Sequence, residues 1–294
     1  MDGDTILVAT DLSDNARPAA KVGQALAKAL GRKVEVMHVF DLTRRDSDKK
    51  MKVLEDPELR KRAISRVGAW YNEVVDEEAD AVTVIAGAPD QGLRARAEED
   101  DVACLVVAMS GRGAWNRLVF GSTAQKLAGR PPCVTAIAHP EHHNVKKGMT
   151  LGLGTDFSPM SEEALEQSVF LAQTFDAPLR IVFANALPST TVIHEGELPP
   201  GMETTEVINW AQDSMDAFTS SHEELLDGVD WESEIIADYP VAGIRSFVED
   251  HGVDWMILGH RRPKERGGAT TVKGKWVRQM TCSTLIVPTE RSMK

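Results

Sequence analysis

Short apolar runs recur along the chain, separated by longer stretches in which apolar residues return every three or four positions. In the first half the runs are TILVAT (5–10), VEVMHVF (34–40), VTVIA (82–86), CLVVA (104–108) and VTAIA (134–138). In the second they are TLGLGT (150–155), LRIVFA (179–184), SEIIA (233–237), WMILG (255–259) and STLIV (283–287). Helical patterns fall near 15–30, 57–78, 90–99 and 122–129, and again near 160–175, 203–226, 240–250 and 271–280. The runs are rich in Val, Ile and Leu and mostly do not alternate with polar residues, which suits strands covered on both faces, as in a parallel sheet. Alternation of strands with helices predicts an α/β fold, an open parallel five-stranded sheet with right-handed crossovers in each half. Such sheets take ligands beyond the C-terminal ends of their strands, where the strand order reverses.

The two halves repeat each other. VATDLS (8–13) matches LGTDFS (153–158), with Thr10, Asp11 and Ser13 falling on Thr155, Asp156 and Ser158 at an offset of 145. Pro89, Gly92 and Arg94 fall on Pro240, Gly243 and Arg245 at an offset of 151, and Cys133 and Thr135 on Cys282 and Thr284 at 149. The shifts in offset place insertions in connections, as a shared fold requires. The polar stretch HPEHHNVKKG (139–148) reads as the boundary, giving domains at 1–140 and 149–294 with a linker at 141–148.

The formal net charge of −12 disfavours nucleic acid and anionic membrane surfaces as partners. Cys104, Cys133 and Cys282 lie in apolar runs without metal-ligand spacing, as buried thiols of a reducing cytoplasm would. The opening MDGDTILVATD has no basic stretch ahead of a long apolar run, so it does not read as a secretory signal, and no window approaches a membrane span.

Candidate chemistry gathers at the strand ends. Thr10-Asp11 closes the first strand; its carboxylate can accept from a sugar or base edge, or cap the turn crowded by Ser13, Asp14 and Asn15. The fourth strand ends at Ala108 and is followed by MSGRGAWNRLVFGST, in which Gly111 and Gly121 stand ten residues apart and Gly121-Ser122-Thr123 opens a helix. Backbone N–H groups at such a helix start, with Arg112 and Arg117 in the same loop, can cradle phosphate; a glycine-rich connection with a Ser cap reads the same way.

These features resemble the universal stress protein superfamily, whose pattern is a first-strand Asp and G-x2-G-x9-G-[ST] after the fourth strand. Here it reads Ala108-x2-Gly111-x9-Gly121-Ser122, and the likeness covers nearly the whole chain twice. The resemblance implies two tandem Rossmann-like α/β/α sandwiches and binding of ATP or a related adenine nucleotide, with Mg as an accompanying ion. By that resemblance Asp11 and the backbone of Val39 would hold adenine and ribose. Gly111, Gly121 and Ser122 would hold the phosphates, beside Thr10 and Thr123, with Ala108 replacing the first glycine. Fifth strands commonly pair across a dimer in this family, so CVTAIA and CSTLIV would pair within the chain or in a homodimer. The second half departs further: Arg262 stands at the second glycine and Thr270-Thr271 at the Gly-Ser position. A basic cluster of His260, Arg261, Arg262, Lys264, Arg266, Lys273 and Lys275 surrounds them.

Other signals carry less. GGATTVKGKW lacks the residues of a P-loop at Ala269 and Trp276. His139, His142 and His143 read as a solvated linker, His38 as a packed core histidine, and Trp70 and Trp210 as core. No nucleophile elbow or catalytic carboxylate pair is evident, so a nucleotide-binding regulatory protein without a defined reaction, slow ATP hydrolysis apart, is the expectation. The alternative is a nucleotide-free scaffold acting through docked domains and protein partners.

Overall fold

The computed structural model describes residues 1–42, 51, 53, 55–109, 120–184, 204–260 and 279–289. In the first half lie β1 (Thr5–Thr10), β2 (Lys33–Asp41), β3 (Ala81–Gly87), β4 (Val102–Ala108) and β5 (Thr135–Ala138), with α1 (Arg17–Leu30), α2 (Pro57–Val75), α3 (Pro89–Ala97) and α4 (Ser122–Gly129). In the second lie β6 (Leu151–Gly154), β7 (Leu179–Ala184), β8 (Trp231–Ile236), β9 (Trp255–His260) and β10 (Ser283–Pro288), with α5 (Pro159–Phe175), α6 (Thr204–Ser221), the single turn α7 (Glu223–Leu226) and α8 (Pro240–Asp250). The helix expected near 271–280 falls almost wholly outside the described residues.

The strands form one ten-stranded sheet in the order β3-β2-β1-β4-β5-β10-β9-β6-β7-β8. Every pairing inside a half is parallel, as the apolar runs require. The two inner edges join antiparallel, Ile137 opposite Thr284, Ala136 opposite Leu285 and Thr135 opposite Ile286, so the chain takes the intrachain alternative for its fifth strands. This junction turns one half end for end. The C-terminal strand ends of the first half therefore lie at one border of the sheet and those of the second half at the opposite border.

Helices cover both faces. On one face α1, α2, α5 and α6 bury a single apolar cluster that runs through both halves, from Val36 and Tyr71 to Phe175 and Leu285. On the other face the clusters are separate: Leu105, Phe120 and Leu127 pack with α3 and α4, and Phe247, Met256 and Leu258 pack with α8. Helix α1 rides close on β1, because a Cβ on Gly23 would stand 2.2 Å from Val8 Cγ2, and it stops at Gly31 in a left-handed conformation, φ 64°. Among the described residues no helix is long and apolar enough to cross a membrane.

The connection between the halves is built in. His139 is buried; its N–H donates to Ser283 Oγ at 3.0 Å, and Ser283 Oγ donates to the His142 carbonyl at 2.8 Å. Nδ1 of His139 accepts from the N–H groups of Glu141 and His142 at 3.2 and 3.0 Å, so the ring serves this corner as a neutral base. His143 Nδ1 donates to the His139 carbonyl at 3.0 Å, and Trp255 Nε1 to the Asn144 carbonyl at 2.8 Å. A solvated linker was expected from the sequence, and Glu141, His142, Asn144, Lys146, Lys147 and Gly148 are exposed; only at its head does the antiparallel junction bring β10 alongside and bury His139.

Burial, with the neighbouring His142 and His143 adding repulsion that Glu141 partly opposes, holds the His139 imidazole down at about 4, against an ordinary 6.5. The unfolded chain thus takes up this proton near pH 6.5 and the folded chain near 4. The contribution is full above 6.5 and is lost as the pH falls to 4. His143, also held low by burial, acts in the same direction. Urea midpoints measured across this window should fall in the wild type and fall less in His139→Gln. Parallel profiles would show that His139 is not the titrating group.

Candidate functional site

At the end of β1 the chain turns through a left-handed residue that is not glycine, Leu12 with φ 62°. Such a backbone costs about 1 kcal/mol unless neighbours over-determine it. Here two side chains do so. Thr10 Oγ1 accepts from the Leu12 N–H at 2.9 Å, and Asp11 Oδ1 accepts from the Ser13 N–H at 3.0 Å and from the Ser13 hydroxyl. Below the turn, buried His38 donates from Nδ1 to the Thr10 carbonyl at 2.8 Å, its ring edge-on to Phe40. His38 is thus a packed prop for this turn. Asp11 closes a side-chain turn onto Ser13, whereas the helix-capping alternative is not met, since neither the 3₁₀ turn nor α1 carries a side-chain cap; the turn stands at the border of the sheet.

The other candidates share that border. The β1–β2 register runs to Thr10 opposite His38, so Val39 stands one residue past the end of β1, still paired with Ile85 of β3, its side chain buried under α3. A Cβ on Gly92 of α3 would lie 2.7 Å from Ile85 Cδ1 and 3.4 Å from Val39 Cγ2, so this repeated glycine serves close helix–sheet approach. The β1–β4 register runs from Thr5 opposite Val102 to Val8 opposite Val106, whereas β4 stays paired with β5 to Ala108 opposite Ala138. The crevice at Thr10, Asp11 and Ala108 is where the strand order reverses.

Helix α4 opens on this crevice. Gly121 is its N-cap, extended at φ −64° and ψ 142°, and donates its N–H to the Met109 carbonyl at 2.8 Å, which ties the helix start to the end of β4. Ser122, exposed, and Thr123, half-buried, begin the first turn, whose N–H groups have no intrahelical acceptor. Gly111, Arg112 and Arg117 lie outside the described residues. Thr10, Asp11, Val39, Ala108, Gly121, Ser122 and Thr123 are thus brought to one border.

The second half repeats the turn and then closes it. Phe157 is left-handed at φ 60°, and Thr155 Oγ1 accepts from its N–H at 3.0 Å. Asp156 Oδ1 accepts from the Ser158 N–H at 3.1 Å, from the Ser158 hydroxyl, and from buried Ser161 Oγ at 2.7 Å. Ser161 Oγ also accepts from the Asp156 N–H at 3.0 Å, a lock the first half lacks because Ala16 stands at the matching position. Phe183 replaces His38 and stacks on Phe157 at 4.7 Å.

Gly259, at the position matching Ala108, is pressed against the first turn of α5: a Cβ there would meet the Met160 carbonyl oxygen at 2.3 Å. In the first half a 3₁₀ turn, Asp14–Ala16, precedes α1 and packs against β4, and Ala108 is accommodated. The glycine at this position of the second half is therefore a packing requirement. The basic loop from Arg261 through Lys275, including Arg262 and Thr270-Thr271, lies outside the described residues. Among those described, no group of three or more His, Cys, Asp or Glu side chains could hold a metal ion. Burial pushes the Cys104 thiol up and the Cys282 thiol up to about 12, which suits inert core groups.

The model of the universal stress protein family matches the chain twice, at residues 3–139 and 149–288. A Thermus aquaticus protein, named universal stress protein in QAH/OAS sulfhydrylase 3′ region, is 31% identical over 140 residues, covering 44% of this chain and 93% of the relative. The crystal structure of a universal stress protein from Archaeoglobus fulgidus DSM 4304 superposes with a TM-score of 0.66 at 18% identity, over 98% of this chain and 99% of its own. A functionally unknown protein from Pseudomonas aeruginosa PAO1 superposes with a TM-score of 0.60 at 11% identity, over 97% of this chain and 92% of its own.

Gly259→Ala should destabilise the protein by about 1–3 kcal/mol, because a methyl cannot occupy the space of the Met160 carbonyl without moving α5. Ala108→Gly should cost no more than about 1 kcal/mol. Chemical denaturation of the two variants checks this asymmetry; equal small losses would remove the packing account of Gly259.

Proposed function

The chain belongs to the universal stress protein family, and from that premise we propose that its first repeat binds ATP or a related adenine nucleotide as a regulatory ligand. The observation that supports this most is the meeting of two structures at the strand-order reversal: the over-determined Thr10-Asp11 turn, and the start of α4 tied by Gly121 to the end of β4. The turn offers a carboxylate to ribose or a base edge, and the helix start offers backbone donors and a positive dipole end to phosphate. Gly121 needs no unusual backbone angle, so its lack of a side chain serves close approach rather than conformation. Val39 would contribute its backbone, Gly111 and Ser122 further phosphate contacts, and Thr10, Ala108 and Thr123 the walls. Mg, where present, would be held through the phosphates.

Binding rather than turnover fits the border, whose described residues include no pair of carboxylates poised as acid and base. The second repeat is the weaker candidate, since Ser161 locks Asp156 and the glycine spacing is replaced. A nucleotide-free scaffold is favoured by a different observation, the fusion of both halves through β5 and β10 into one sheet. With those edges paired, a second copy of the chain would have to associate elsewhere. We place the protein in the cytoplasm, as its thiol-bearing, acidic composition suggests.

Calorimetric titration with ATP, ADP and AMP should show one site per chain, micromolar or weaker. Gly121→Val should abolish it in a folded protein, and Asp11→Ala should weaken it far more than Asp156→Ala. Loss confined to the Asp156 variant would assign the site to the other repeat. Absence of heat up to millimolar nucleotide, with no small molecule released on denaturation, would favour the scaffold.

A further inference from the structure

Helix α4 is held at both ends by residues that occupy the same place in the two repeats. Met109 follows β4, and its carbonyl accepts from the Gly121 N–H at 2.8 Å at the head of the helix. His260, which matches Met109 at an offset of 151, ends β9 in the second half. Its Nε2 donates to the Gly129 carbonyl at 3.1 Å, at the tail of the same helix. The antiparallel junction makes this possible. It sets the C-terminal border of the second half level with the N-terminal border of the first, and α4, about 12 Å long, runs from one border to the other.

The tail of a helix leaves its last carbonyls without intrahelical donors. Two side chains supply them here, Arg94 of the same half to the Arg130 carbonyl at 2.5 Å and His260 of the other half to Gly129. The His260 ring is buried, so its hydrogen bond is sheltered from water and its position is fixed by β9. The head of α4 is the anion-facing end of the candidate site. A tilt or slide of so short a rigid rod at its tail is felt at its head.

We infer that His260 is a positioning residue for the nucleotide site, so that the second repeat sets the affinity of the first through α4. The inference rests on the nucleotide reading above. It gives the second repeat, whose own Asp156 is held by Ser161, a task in binding at the opposite border. Coupling of this kind is reciprocal: nucleotide at the head of α4 must alter the environment of His260 at its tail.

The test uses the full chain. ATP affinity is measured by calorimetry for the wild type, His260→Leu and His260→Gln, whose amide N–H can replace the Nε2–H donor. In parallel, the imidazole resonances of His260 in the wild type are followed by NMR as ATP is added. The leucine variant should bind about fivefold more weakly, the glutamine variant within about twofold of the wild type, and the imidazole signals should shift with ATP saturation. Wild-type affinity in a cooperatively melting leucine variant, or imidazole signals unmoved at saturation, would overturn the inference while leaving the nucleotide site intact. Should the leucine variant fail to fold, the wild-type NMR titration decides alone. A wild type that binds no ATP refutes the proposed site first, before any variant is compared.

Discussion

The antiparallel pairing of β5 with β10 is the constraint on which the rest of the molecule depends. Each repeat taken alone would expose an inner edge of unpaired backbone donors and acceptors next to its most apolar strands, a costly and association-prone arrangement. Three opposed residue pairs remove both edges at once. The same pairing allows one face of the sheet to bury a single core across the repeats, draws His139 and Ser283 into a common corner, and places the two strand-end borders on opposite sides.

Within that arrangement two nearly identical turns are supported unequally. Thr10-Asp11 and Thr155-Asp156 hold the same left-handed kink with the same hydrogen bonds, so the turn itself is a property of the repeat. What differs is the support behind it. Ser161 and the pressed contact at Gly259 bind the second turn to its helix, whereas the first has Ala16, a 3₁₀ turn and Ala108. The two strand ends therefore differ in what packs behind them, while the turn itself is shared.

The central strands were legible because parallel strands covered on both faces must be apolar throughout. TILVAT and LRIVFA fall on β1 and β7 residue for residue. Boundaries set by a single backbone angle were less legible: α2 was expected to reach residue 78 and stops at Val75, where Asp76 turns left-handed at φ 58°. The helix expected over 203–226 breaks at His222 into α6 and α7. Strand β8 begins at Trp231, two residues early, because an edge strand keeps pairing through exposed Glu232 that no apolar pattern marks. At the site, the spacing of Asp11, Gly111, Gly121 and Ser122 was visible in the sequence. The tasks of His139, Gly259 and His260 were not, since each depends on a contact with a distant segment that only the assembled sheet brings near.

The unlike faces of the sheet also give the molecule a grain. On the side of α1 and α5 the apolar packing runs unbroken over both repeats, while on the side of α3, α4 and α8 it is divided. Flexing that opens the divided side parts two clusters that were already distinct, whereas flexing the other way must tear a continuous one. The slab therefore has an easier sense of bending, with its crease past β10 toward β9, because Ile286 packs with the cluster of the first half.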